Sequence, residues 1–265
     1  MANSLRIAIH GAAGRMGRRL VALSACDPQL ALVAALDSPT HPQRGLDAGT
    51  LAGIPPVGIT ISAELPAGID AVVDFSVPAA AQTIVETCRK KRFPLVVATT
   101  GFDEAQVAAI RAAAQEIPLL WSPSMSLTVN LTMKLTEMAA KALADKDADV
   151  EVLERHHRYK EDSPSGTALK FGEIISRAMG QTIQRHGRQG RPGKRPHEEI
   201  GYHAIRVGDN PGEHTIVFGT LGETIELTVR ASNRDCYAAG ALAAAKFLVG
   251  KPAALYGMSD VLGLT

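Results

Sequence analysis

The stretch Leu5–Cys26, "LRIAIHGAAGRMGRRLVALSAC", joins an apolar run to a helical pattern through a turn rich in glycine. "LRIAI" (5–9) has the unbroken apolar texture of a strand covered on both faces, and "GRMGRRLVALSAC" (14–26) has helical spacing. Between them Gly11, Gly14 and Gly17 form a G-x-x-G-x-x-G variant of the dinucleotide fingerprint. Glycine lets the chain turn sharply and approach a pyrophosphate closely, while the first N–H groups of the helix face the anion. The next expected strand, "LALVAALD" (30–37), ends on Asp37, about twenty residues past the turn, where a carboxylate accepts hydrogen bonds from an adenosine ribose. An acid there disfavours a 2′-phosphate, and Ser38 brings no positive charge. NADH is therefore favoured as cofactor, with NADPH left open by Arg15.

The pattern repeats along the first half. "AVVDFS" (71–76), "PLVVATT" (94–100) and "PLLW" (118–121) read as further strands, and 78–91 and 103–116 as intervening helices. Strands alternating with helices predict an α/β fold with a parallel sheet. Loops at the C-terminal ends of such strands line the ligand crevice, so Thr99 and Thr100 either face a nicotinamide or bond their own turn.

Composition sets the class. The chain has 265 residues, 46% hydrophobic and 21% charged, with a formal net charge of +1, so no bulk charge draws it to nucleic acid or membrane. Only 4% are aromatic, which argues against a base-stacking platform. The three cysteines match neither a zinc pattern nor a disulfide framework, and no metal is expected. With neither a signal-peptide pattern nor a long apolar run, the expected location is cytoplasmic.

After Trp121 the texture changes. A helix is expected over 129–145 with Leu131, Leu135, Met138 and Ala142 on one side, then a strand over 148–157 and a helix over 167–180. Strands follow around "HAIRVG", "HTIVFG" and "TIELTVRAS" without helices between them, which implies a mixed or antiparallel sheet and a second domain. The final helical run, 237–251, returns to the first domain. The segment 185–201 carries five Lys and Arg between Arg185 and Arg195 and reads as a solvated loop, with an anionic ligand the alternative.

The densest chemistry lies in "ERHHRYKEDSPSGTAL" (154–169). On an extended strand Val150, Val152, Glu154 and His156 share one face, and Leu153, Arg155 and His157 the other. One histidine then acts and its neighbour supports, unless the chain bends. Imidazole donates protons near neutral pH, and Lys160 suits a carboxylate or a proton transfer. Ser165 reads as an N-cap, leaving the N–H groups of Gly166 and Thr167 to receive an anion. The cluster suits a small carboxylic acid that needs a proton. Adjacent histidines lack metal-ligand spacing, and Ser165 lies on no nucleophile elbow.

This stretch resembles the signature of the dihydrodipicolinate reductase family, E-x-H-H-x-x-K-x-D-x-P-S-G-T-A, at every fixed position. The resemblance runs through "GAAGRMG", "VDFSVP", "ATTGFD", "IRVGDNPGEH" (205–214) and "ASNRDCYAAGAL". It implies a Rossmann-type parallel-sheet nucleotide domain, 1–126 and 235–265, interrupted by an α+β substrate-binding and tetramerisation domain, 127–234, with an open mixed sheet. It also implies NAD(P)H-dependent reduction of 4-hydroxy-tetrahydrodipicolinate in lysine and diaminopimelate biosynthesis, by a homotetramer. By similarity His156 is the general acid and Lys160 assists. His157, Ser165, Gly166, Thr167 and Arg234 contact the dicarboxylate. Gly11, Ala12, Ala13, Gly14, Arg15 and Met16 hold the pyrophosphate and Asp37 the ribose. Ala98, Thr99 and Thr100, with Ser122, Pro123, Ser124 and Met125, line the nicotinamide pocket. The chain departs from the family pattern at Ser124, usually Asn, at Thr128, often Gly, and at Val229, often His. The competing readings are a Rossmann dehydrogenase for another imino acid and a nucleotide sensor without turnover.

Overall fold

A computed structural model describes residues 4–264; the outermost residues of the expected nucleotide domain, 1–3 and 265, lie outside the described residues. In chain order the elements are β1 (Leu5–His10), α1 (Arg15–Ala25), β2 (Leu30–Leu36), α2 (Ala48–Ala52), β3 (Ile61–Ser62), β4 (Ala71–Asp74), α3 (Pro78–Lys91), β5 (Leu95–Val97), α4 (Glu104–Ala113) and β6 (Pro118–Trp121). There follow α5 (Leu127–Leu143), β7 (Asp149–His156), α6 (Gly166–Met179), β8 (Ile183–His186), β9 (Glu199–Arg206), β10 (Glu213–Thr220) and β11 (Glu223–Arg230). The chain ends in α7 (Asp235–Leu248), β12 (Ala254–Tyr256) and α8 (Met258–Val261). Two compact units result, one reaching Leu127 and resuming at Arg234, the other Thr128–Asn233.

The first unit is a seven-stranded parallel sheet ordered β12-β6-β5-β4-β1-β2-β3. Its continuous apolar strands are explained by burial on both faces. Ile7, Ile9, Val73, Val96 and Leu120 pack with α1 and α7 residues such as Leu20, Ala241 and Leu248, while Ala8, Val72, Leu95, Val97 and Leu119 pack against Ile84, Val85 and Ile110. The strand order reverses direction between β1 and β4, which makes the carboxyl ends of those two strands the expected ligand crevice.

The second unit is a mixed five-stranded sheet, β11-β10-β7-β9-β8, with β7–β9 and β8–β9 parallel and the other pairs antiparallel. Val150, Val152, Ile200, Tyr202, Ile216 and Phe218 form its core with Ala140, Phe171 and Ile175. The buried stripe of α5 is Val129, Thr132, Thr136 and Ala140. Leu131, Leu135 and Met138, the side singled out in the sequence, are exposed in this unit. Apolar spacing alone therefore does not tell which face of α5 is buried.

The basic stretch is not a merely solvated loop. Arg185 lies in β8, Arg188 bridges Glu151 and Glu199, and Arg195 bridges Asp149 and Glu151, so its cations are largely taken up by acids of β7 and β9. Among the described residues no helix is long and apolar enough to cross a membrane.

Candidate active site

In the first unit the turn after β1 has the geometry a pyrophosphate needs. Gly11 has φ +77°, and a Cβ there would stand 2.3 Å from the Phe75 carbonyl oxygen. A Cβ on Gly17 would stand 2.0 Å from the Gly11 carbonyl oxygen and 2.6 Å from the Ala12 Cα, so only glycine lets α1 lie against the turn. Asp37 caps this arrangement from the end of β2, its carboxylate accepting from the Ala13 N–H at 3.0 Å and the Ser38 N–H at 2.8 Å. A cavity of about 540 Å³ opens beside the turn, lined by Gly11, Gly14, Asp37, Ser38, His41 and Ser76 among others. Backbone cradle, acidic end and cavity together fit the adenosine and pyrophosphate half of a dinucleotide.

The residues expected on the nicotinamide side lie on the loops after β5 and β6. Ala98, Thr99, Ser122 and Met125 are buried and Thr100 is exposed. Of the two roles open to Thr99, its hydroxyl takes neither simply. It donates to the buried Asp74 carboxylate at 2.6 Å and accepts from the Ser76 N–H at 3.1 Å, which ties the β4 and β5 loops together. Ser122 donates to the Ser124 carbonyl at 2.8 Å. Arg234 is exposed at the N-cap of α7 and also belongs to this unit, separate from the other substrate-contact candidates.

In the second unit β7 stays extended through His156, so Glu154 and His156 both turn inward, with Arg155 exposed between them. Glu154 is the hub. Its carboxylate accepts two bonds from Arg206 at 2.7 Å each, one from His156 Nδ1 at 2.6 Å and one from the Ser165 N–H at 3.1 Å. Strand pairing delivers these partners, because β9 puts Arg206 opposite His156 and β10 puts His214 opposite Glu154. Burial pushes the Glu154 carboxyl up, but the bonds from Arg206 and His156 outweigh it and hold it below the usual glutamate range. An ionised Glu154 only accepts, so His156 carries its proton on Nδ1 and Nε2 becomes the nitrogen that exchanges protons.

Burial lowers the His156 imidazole below its ordinary value, against the opposing pull of Glu154. The His214 ring lies 5.2 Å from the His156 ring and 5.9 Å from Phe171, edge-on to the latter. Burial, reinforced by the charge of His156, pushes His214 down to about 4, so it is a neutral wall at neutral pH. A Cβ on Gly212 would lie 2.9 Å from His156 Nε2, so this glycine keeps the approach to that nitrogen open.

The chain bends after β7. His157 donates its backbone N–H to the Asn210 carbonyl at 2.8 Å, and its buried Nδ1 has no hydrogen-bond partner among the described residues. Such an orphan costs free energy unless a ligand or water meets it. Lys160 pairs with Asp162 at 2.7 Å, and α6 begins at Gly166 with Ser165 as its N-cap, Oγ accepting from the Ala168 N–H at 3.2 Å. Asp162 also draws on the Gly166 N–H, so a carboxylate already rests where lysine and helix N-terminus converge. Among the described residues no group of three or more His, Cys, Asp or Glu is placed to hold a metal ion.

Arg206, His214 and Gly212 join the site without a local sequence signal of their own. All three lie in or beside the "IRVGDNPGEH" segment, quoted for its likeness but given no role. Glu154 stood in the signature without a function.

Residues 5–125 match the family described as Dihydrodipicolinate reductase, N-terminus, and residues 128–262 match Dihydrodipicolinate reductase, C-terminus. The 4-hydroxy-tetrahydrodipicolinate reductase of Rhodopirellula baltica is 56% identical, over 98% of this chain and 97% of that protein. The enzyme of the same name from Alkalilimnicola ehrlichii is 47% identical, over 98% and 99%. Among solved structures, the dipicolinate-bound dihydrodipicolinate reductase of Paenisporosarcina sp. TG-14 shares the fold, with a TM-score of 0.78 at 22% identity, covering 97% of this chain and 99% of that one. The chain belongs to the dihydrodipicolinate reductase family.

Proposed function

We propose that the chain reduces 4-hydroxy-tetrahydrodipicolinate to tetrahydrodipicolinate with a reduced nicotinamide nucleotide, in lysine and diaminopimelate biosynthesis. The observation that carries this reading is the hub at Glu154, which binds the acid His156 and the amide of Ser165 at the head of an anion-receiving helix. The first unit is the pyridine-nucleotide domain, and the nucleotide, when bound, would supply a hydride. Loss of water from the 4-hydroxy substrate gives the conjugated acceptor, the hydride is taken up at ring carbon 4, and the resulting enamine takes a proton. His156 supplies the proton from Nε2. Glu154 holds the ring in one tautomer and stabilises its charged form, and burial makes that form a willing donor. Lys160 and the N–H groups of Gly166 and Thr167 take a carboxylate in exchange for Asp162, and the unpartnered His157 Nδ1 offers one further bond. Arg234 serves a second carboxylate. Fixing both carboxylates leaves the ring a single orientation in which to take up hydride and proton.

NADH is the favoured nucleotide, because the Asp37 carboxylate sits against the Ala13 amide, where a 2′-phosphate would meet like charge. A cytoplasmic homotetramer accompanies this reading; Leu221 and Ile225, exposed at and beside the edge strand β11, are the kind of surface a second copy covers.

The test is oxidation of NADH and, separately, NADPH by the purified protein with freshly made 4-hydroxy-tetrahydrodipicolinate. Turnover is expected with NADH preferred. His156→Ala loses mainly kcat, whereas Lys160→Ala loses kcat and raises KM. Wild-type turnover in both variants refutes the roles, and absence of turnover with either nucleotide refutes the reaction.

A further inference from the structure

The parallel sheet holds a polar cluster that the reaction described above does not use. His10 ends β1 and Asp74 ends β4, and the two are direct register partners at the place where the strand order reverses. Asp74 is fully buried. Its carboxylate accepts from His10 Nδ1, Ser76 Oγ and Thr99 Oγ1, each at 2.6 Å. A buried carboxylate under a turn shaped for a pyrophosphate repels the ligand unless something screens it. His10 is the group in that position. Its side chain is 14% exposed, it lines the same cavity as Gly11, Gly14 and Asp37, and its Nε2 makes no hydrogen bond among the described residues.

We infer that His10, oriented by the buried Asp74, is a ligand of the dinucleotide pyrophosphate, donating from Nε2 beside the amides of the glycine turn. The inference rests on the dinucleotide reading above and adds a side chain to a cradle otherwise made of backbone. Asp74 fixes the ring so that Nδ1–H faces the carboxylate, which leaves Nε2 for the cavity. Ser76 and Thr99 hold Asp74 in turn, which couples the loops after β4 and β5 to the same anion. A donor set by a carboxylate behind it loses little freedom when the ligand arrives, and its bond to a phosphate is charge-assisted.

The experiment is calorimetric titration of wild type, His10→Ala and His10→Gln with NADH and with ADP-ribose, which carries the pyrophosphate but cannot react. Adenosine, followed by saturation-transfer NMR, is the phosphate-free control. Loss of one charge-assisted bond weakens NADH and ADP-ribose about tenfold to a hundredfold and leaves adenosine unchanged. A second readout uses the unaltered protein. The His10 Nε2 resonance shifts on adding ADP-ribose and not on adding adenosine. Wild-type ADP-ribose affinity in His10→Ala, an equal loss for adenosine, or an unmoved His10 resonance overturns the inference while leaving nucleotide binding intact. A wild-type protein that binds neither nucleotide nor ADP-ribose overturns the dinucleotide reading itself, and the inference with it.

Discussion

Replacing Glu154 by Gln tests the centre of the proposed mechanism. The side chain is 1% exposed and receives donors on both oxygens. Arg206 and Ser165 approach Oε1, while Arg206 and His156 approach Oε2. An amide puts an N–H₂ at one of these positions, so whichever way it turns a donor faces a donor, and Arg206 loses its counter-charge. Breaking a buried pair from one side costs about 3–5 kcal/mol. The Arg206 side chain is 19% exposed and recovers some hydration, which places the expected loss of unfolding free energy near the lower figure. Denaturant unfolding at pH 7 measures it. Activity falls independently of stability. The Glu154 bond holds the His156 imidazole up against its burial, so removing it lowers that value further and depletes the protonated acid at neutral pH. A bond to a charged group is worth about 1.5–3 kcal/mol, which corresponds to about tenfold to a hundredfold in kcat/KM. The deficit narrows as pH falls, because His156 becomes protonated in both proteins, and nucleotide affinity stays unchanged. Wild-type stability with wild-type kcat/KM, or a loss of activity whose pH profile matches wild type, refutes the argument.

His214 provides a pH test of stability. Its folded value of about 4 lies below the ordinary 6.5, so the stability it allows is complete above 6.5 and is lost as pH falls through that value toward 4. At the lower end the loss approaches about 3 kcal/mol. His214→Leu should unfold with a shallower dependence between pH 7 and 4.5, and an unchanged slope would count against a buried neutral ring. Gly17→Ala drives a Cβ into the backbone of the glycine turn, so NADH affinity should drop more than tenfold by fluorescence titration. Wild-type affinity there would mean that the turn does not depend on close packing against α1. Gly212→Ala crowds His156 Nε2 and should reduce kcat about tenfold without weakening NADH binding, whereas a matching loss of NADH affinity would assign Gly212 another role.

The parts of the site differ in how readily the chain discloses them. Ser165 is legible because capping is local: a hydroxyl three residues before Ala168 meets that amide whatever the rest of the protein does. That Glu154 and His156 share a face is legible for the same reason, since alternation along a strand needs no partner. The glycine turn joins them, as does the parallel alternation of the first unit. The buried face of α5 was not legible, because apolar residues lie on both its sides and only tertiary packing selects between them. Arg188 and Arg195 looked like solvated charge for want of their acids on neighbouring strands.

Local order along the chain therefore determined the two-part α/β layout, the glycine turn, the capped start of α6 and the shared face of Glu154 and His156. Tertiary structure alone decided that Arg206 and His214 stand beside Glu154, that Gly212 clears His156 Nε2, and that His10 meets Asp74. Periodicity and capping arise between residues a few positions apart, where the backbone sets the geometry. Strand register joins residues tens of positions apart, and it is chosen by the packing of the whole sheet.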